Sequence, residues 1–80
     1  MNTVFLLLAQ YDTAQIPLER CCDLFGLSPE QAARNATRQA LPVPAYKGKG
    51  KAPWLVDVRD LAAWLDERRS EARKEWEGVR

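Results

Sequence analysis

The stretch Ser28-Pro29-Glu30-Gln31-Ala32-Ala33-Arg34-Asn35-Ala36-Thr37-Arg38-Gln39-Ala40 carries both the start signal and the two faces of a helix. Ser28 stands where a capping hydroxyl is wanted, Pro29 fits the first helical position, and Gln31 follows the cap at capping-box spacing. Turned by roughly 100° per residue, Gln31, Arg34, Asn35 and Arg38 fall within about 100° of arc, and Ala32, Ala33, Ala36 and Ala40 take the opposite side. Small alanines permit close packing, so the polar stripe is expected to face outward. Gln, Arg and Asn are the side chains whose donors and acceptors match purine edges in a major groove. An ordinary solvated helix face has the same pattern, so the flanking sequence has to decide between them.

Upstream, Leu18, Cys21, Cys22 and Phe25 keep helical spacing, and Gly26 suits the left-handed residue that ends a helix. Ile16-Pro17-Leu18 reads as a short extended entry, because proline pushes its predecessor out of the helical region. A helix, a glycine turn and a capped second helix make a helix-turn-helix over about residues 18–40. Further back, Thr3–Tyr11 is helix-prone with Thr3 as a cap, although the unbroken run Val4–Leu8 would also suit a buried strand. We expect a helix there.

Downstream, Pro42–Lys47 and Pro53–Val56 read as two extended segments joined by Gly48-Lys49-Gly50-Lys51-Ala52, a wing over about residues 42–56. Glycine permits the tight turn, and Lys47, Lys49 and Lys51 supply mobile charge for a phosphate backbone. Asp57 then caps a last helix over about residues 57–76, with Val58, Leu61, Leu65, Ala72 and Trp76 on one stripe and Trp64 beside it. Its first half should pack on the domain; Arg68–Arg80 is too polar for deep burial. The expected fold class is therefore α+β, a small winged helix-turn-helix domain spanning residues 1–80, with a two-stranded wing and a C-terminal helix.

Composition narrows the functions. Eighty residues make one small domain with too thin a core for a large substrate pocket. An apolar share of 46% argues for a folded chain and a charged share of 29% for a soluble one. The net charge is only +1, but residues 34–56 carry Arg34, Arg38, Lys47, Lys49 and Lys51 with no acid, between flanks of net charge −3 and −1. A basic block of this kind is the footprint of a local phosphate-binding surface. There is no His, and Cys21 and Cys22 are adjacent, so neither a zinc site nor a disulfide between them is expected. We expect no metal, cofactor or catalytic residue, small reduced core cysteines and a cytoplasmic location. The apolar run Val4–Ala9 is too short and lacks the preceding basic residue of an export signal, and no membrane span is expected.

Four segments in order, Met1-Asn2-Thr3-Val4-Phe5-Leu6-Leu7-Leu8-Ala9-Gln10-Tyr11, Ile16-Pro17-Leu18-Glu19, Lys51-Ala52-Pro53-Trp54-Leu55-Val56 and Asp60-Leu61-Ala62-Ala63-Trp64-Leu65-Asp66, resemble the pyocin activator (PrtN-like) family of bacterial and prophage regulators. More loosely, Leu27–Trp64 resembles the winged helix-turn-helix of phage excisionases and AlpA-type regulators. The first resemblance implies activation of prophage or pyocin genes by binding promoter DNA, and the second implies an excisionase at attachment-site DNA. On the residues themselves we expect duplex DNA as partner. Arg34, Asn35, Arg38 and Gln31 would read bases, and Lys47, Lys49 and Lys51 would hold the backbone. One small domain offers limited specificity, so a homodimer or side-by-side protomers on repeated sites are expected, with the segment around Trp76 as a contact. RNA polymerase or an integrase would be a further partner. A protein-binding module aimed at a host factor would use the same alanine-backed helix and stays open as the alternative.

Overall fold

The computed structural model describes residues 2–78, in the order α1 (Thr3–Tyr11), β1 (Gln15–Pro17), α2 (Leu18–Cys21), a 3₁₀ turn (Cys22–Phe25), α3 (Pro29–Thr37), β2 (Tyr46–Lys47), β3 (Trp54–Asp57) and α4 (Val58–Gly78). The three strands form one antiparallel sheet in the order β1-β3-β2. The fold is α+β, with the arrangement of a small winged helix-like domain carrying a C-terminal helix.

The first helix forms as expected, but Asn2 caps it, accepting from the Val4 amide at 2.8 Å, while Thr3 donates its hydroxyl to Asp66 on α4. Asp12 ends it in the left-handed region at φ 59°, a conformation that a short polar side chain tolerates. The extended entry is more than a linker. Ile16 pairs with Val56, Gln15 with Asp57 and Pro17 with Leu55, and β1 is one of the two edge strands of the sheet, where Pro17 is tolerated.

The first helix of the helix-turn-helix is shorter than its apolar spacing suggests. Cys21 leaves α-geometry at φ −114°, ψ 0°, and the chain continues as a 3₁₀ turn. Gly26, at φ 72°, closes that turn, with Gly26 N–H donating to Asp23 and Leu27 N–H to Cys22. These are the paired bonds of a Schellman motif. In α3 the capping box is complete: Ser28 Oγ accepts from the Gln31 amide at 3.2 Å and Gln31 Oε1 accepts from the Ser28 amide at 3.0 Å. The helix stops at Thr37 rather than near residue 40. Gln39 turns left-handed at φ 55°, with its N–H bonded to Ala36 and the Ala40 N–H to Asn35, a second Schellman motif.

The wing is also shorter than expected on its first side. Pro42 and Pro44 have no N–H to give a ladder, so pairing begins only at Tyr46, opposite Leu55, and Lys47, opposite Trp54. The proline stretch tucks Val43 into the core instead. Ile16, Cys21, Val56 and Leu61 are the largest fully buried side chains, one from each of β1, α2, β3 and α4. Around them lie Leu7, Tyr11, Leu18, Cys22, Ala32, Ala36, Val43, Val58 and Ala62. Burial pushes the Cys21 thiol up to about 11, with Cys22 beside it adding to the effect, and burial raises Tyr11 in the same sense. Both cysteines are free and buried, as expected. From Asp66 onward every described α4 side chain is exposed, so the helix runs out past the core; Arg80 lies outside the described residues.

Candidate nucleic-acid interface

The capped start of α3 fixes which of its side chains are free. Ala32 and Ala36 are buried against the core, and α3 packs on α2, so the outer face belongs to Glu30, Gln31, Ala33, Arg34, Thr37 and Arg38. Ala33 and Ala40 were expected on the packed side and are exposed. Ala33 lies off the buried azimuth, and Ala40 lies beyond the helix end.

The four helix candidates take different positions. Arg34 and Arg38 are exposed, and among the described residues the ion pairs are Arg59–Asp57, Arg68–Glu71 and Arg69–Asp66, none of which uses them. Arg38 is the C-cap residue, so its side chain leaves from the end of the helix rather than its middle. Asn35 is half-buried at the edge of the face. Gln31 is exposed but its carbonyl oxygen is held in the capping box, leaving only the amide NH₂ free.

The wing lysines divide as well. Lys47 places its ammonium 5.7 Å from the centre of the Trp54 ring, a cation–π contact across the hairpin. Lys49 and Lys51 are exposed on the loop, either side of Gly50, whose φ of 69° makes the turn. A side chain at Gly50 would meet nothing, but the backbone geometry itself favours glycine.

Between α3 and the wing runs a groove of about 190 Å³ lined by Leu18, Glu19, Pro29, Ala33, Pro53 and Trp54. It sets Pro29 and Ala33 of α3 opposite Pro53 and Trp54 at the base of the basic hairpin. Its Trp54 wall and its acid, Glu19, were not singled out from the sequence; the pairing of Trp54 with Lys47 across β2 and β3 is what places the indole there. Tyr46 is likewise exposed on β2 and was missed, because a lone Tyr after Pro42–Ala45 gives no signal of facing out. No group of His, Cys, Asp and Glu among the described residues could hold a metal ion, and no described helix is long and apolar enough to cross a membrane.

Fold and site together define a small winged helix-like domain with exposed basic side chains on one helix and on one hairpin. The chain belongs to the pyocin activator family: the sequence model described as Pyocin activator protein PrtN matches residues 3–72. Membership supports a regulatory role of the prophage and pyocin kind. No curated protein and no solved structure was found to match.

Proposed function

We propose that the chain is a sequence-specific duplex DNA-binding regulator of prophage or pyocin genes that acts as a transcriptional activator and catalyses no reaction. The observation that carries this reading is that Arg34 and Arg38 are exposed and outside the ion pairs of the described residues on α3, the helix that with Pro29 and Ala33 forms one wall of the groove, while Trp54 on the other wall belongs to the hairpin that carries Lys47, Lys49 and Lys51. A helix entering the major groove from this side would bring Arg34 to a guanine edge, with Arg38 following near the helix end. The loop lysines would sit over the neighbouring phosphates and add affinity without base choice. Half-buried Asn35 and cap-engaged Gln31 are then secondary readers, and RNA polymerase is the partner an activator would engage.

Binding-site selection on random duplex, with wild type, Arg34→Ala and Arg38→Ala, tests the reading. A bidentate arginine–guanine contact is worth about 1 to 3 kcal/mol, so each variant should lose about 5- to 150-fold in specific affinity and relax preference at one position. Unchanged preference in both variants removes the arginines from readout. No binding to any duplex at low salt overturns the DNA reading and favours a host protein as partner. Genome-wide occupancy decides the finer point: promoter sites support an activator, and attachment-site occupancy with integrase dependence replaces it with an excisionase.

A further inference from the structure

Along α4, Val58, Ala62, Leu65, Arg69, Ala72 and Trp76 follow one another at alternating spacings of four and three, a heptad seam broken only by Arg69. The domain itself uses the first half of the seam. Val58 and Ala62 are buried, and Leu65 is partly buried at the core edge. The second half carries the same face past the end of the core into solvent, where Trp76 is 80% exposed. A single exposed aromatic is ordinary, but one that continues a buried stripe marks an uncovered contact surface.

We propose that this seam is covered by a second copy of the chain, with the two α4 helices antiparallel so that Leu65 lies against Trp76 and Arg69 against Ala72 of the other copy. Charge complementarity selects the occupant and its direction. The seam is flanked on one side by Asp66 and Arg73 and on the other by Arg68 and Glu75. In the antiparallel register Asp66 faces Arg73 and Arg68 faces Glu75. Both contacts, each formed twice about the two-fold axis to give four in all, join opposite charges. A parallel pair would instead stack Arg69 on Arg69 and set Arg68 beside Arg73.

The free chain leaves these groups available. Among the described residues Arg73 and Glu75 make no ion pair, while Arg68 holds Glu71 at 3.4 Å and Arg69 holds Asp66 at 3.1 Å. Exposed pairs like these rearrange at little cost. Both Thr3 and Arg69 donate to Asp66 Oδ1, so Oδ2 is open to the arginine of the second copy. Next to Leu65 in the chain, Trp64 packs edge-on against Phe25 with ring centres 4.9 Å apart. Two Trp76 side chains, at about 150–250 Å² each, would supply a third to a half of the ~1,000 Å² that a specific interface needs. This inference is independent of the DNA reading and is tested without DNA.

Sedimentation equilibrium of the full chain from the micromolar to the millimolar range should show a reversible monomer–dimer equilibrium. Trp76→Ala should weaken it by about tenfold or more, with unchanged far-ultraviolet circular dichroism because the side chain is exposed. Arg68→Glu and Glu75→Arg should each weaken self-association by about fivefold or more, since two attractive contacts become repulsive. An equimolar mixture of these two variants should associate more tightly than either alone, because each supplies the charge the other now requires. A chain that stays monomeric overturns the proposal. So does a dimer indifferent to Trp76→Ala, or a mixture that shows no rescue, which would place any contact elsewhere.

Discussion

Asp57 ends β3 and begins α4, and its carboxylate serves both elements. Oδ1 accepts the Arg59 backbone N–H at 2.8 Å and Arg59 Nε at 3.0 Å, while Oδ2 accepts Arg59 Nη2 at 3.0 Å and the Gln15 side-chain Nε2 at 3.2 Å. The Arg59 side-chain and backbone donors, with Gln15 adding to them, hold the carboxyl well below the usual carboxylate range. The folded chain therefore binds fewer protons here than the unfolded chain, whose Asp titrates near ~3.9. This stabilisation is complete above that value and is lost as pH falls through the folded pKa. Asp57→Asn should flatten the acid limb of stability measured by urea unfolding between about pH 2 and 5. The left-handed residues of the two Schellman motifs, Gly26 and Gln39, give an opposed pair of expectations. Gly26 at φ 72° has open space where a Cβ would go, so Gly26→Ala carries only the backbone penalty, about 1 to 2 kcal/mol. Gln39 already bears that penalty at φ 55°. Gln39→Gly should relieve it, less the entropy of a new glycine, for a net gain of about 0.5 to 1 kcal/mol. Urea midpoints moving in the same direction for both would show that cap geometry does not control these ends.

The hairpin is the element whose proposed role in DNA binding is most directly measurable. With Lys47 drawn over Trp54, the mobile charges are Lys49 and Lys51, and each phosphate contact contributes roughly 0.9 to the slope of log affinity against log salt. The double variant Lys49→Ala, Lys51→Ala should bind every duplex more weakly, with a slope lower by roughly 1 to 2 units and base preference kept. A salt titration on one specific and one scrambled duplex checks this, and an unchanged slope on both would take the wing off the DNA. Element by element, local chemistry was legible where it is self-contained. Ser28-Pro29 with Gln31, Gly26, and Asp57 before the last helix each satisfy orphan backbone groups within a few residues, and all three act as their sequence suggests. What long-range pairing decides was not legible. Nothing local tells that Gln15–Pro17 joins the sheet, since its partners are forty residues away on β3. Nor does apolar spacing show that the run from Leu18 to Phe25 changes from α to 3₁₀ geometry at Cys21. In the candidate site, the exposed face of α3 could be read from periodicity, but the sharing of Gln31 with its cap and the Trp54 wall needed the folded register.

At the scale of the molecule, the core is thin and drawn from almost every element. Ile16, Cys21, Val56 and Leu61, the largest side chains with no exposure, come from β1, α2, β3 and α4, so each ties a different part of the chain to the rest. A domain of this size has a stability of roughly 4 to 12 kcal/mol, and a buried Leu→Ala change costs about 2 to 5 kcal/mol because the cavity collapses only in part. Leu61→Ala should thus remove a large share of the total, whereas Arg73→Ala on the exposed half of α4 should stay within about 0.5 kcal/mol in the monomer. Cys21 offers an internal reporter. Its thiol is fully buried and pushed up to about 11, so a thiol-specific reagent reaches it only when the core opens. If the core opens as one unit, the labelling rate of Cys21 follows the unfolded population. A loss of 2 kcal/mol should then raise it about 30-fold, and a loss of 5 kcal/mol about 5,000-fold. The measurement pairs urea unfolding of wild type and Leu61→Ala with Cys21 labelling in Cys22→Ala backgrounds at a dilution where the chain is monomeric. Matching free energies from the two methods would show a single cooperative core. A labelling rate unmoved by Leu61→Ala while the urea midpoint falls would show that the region around Cys21 opens on its own, independently of the packing of α4.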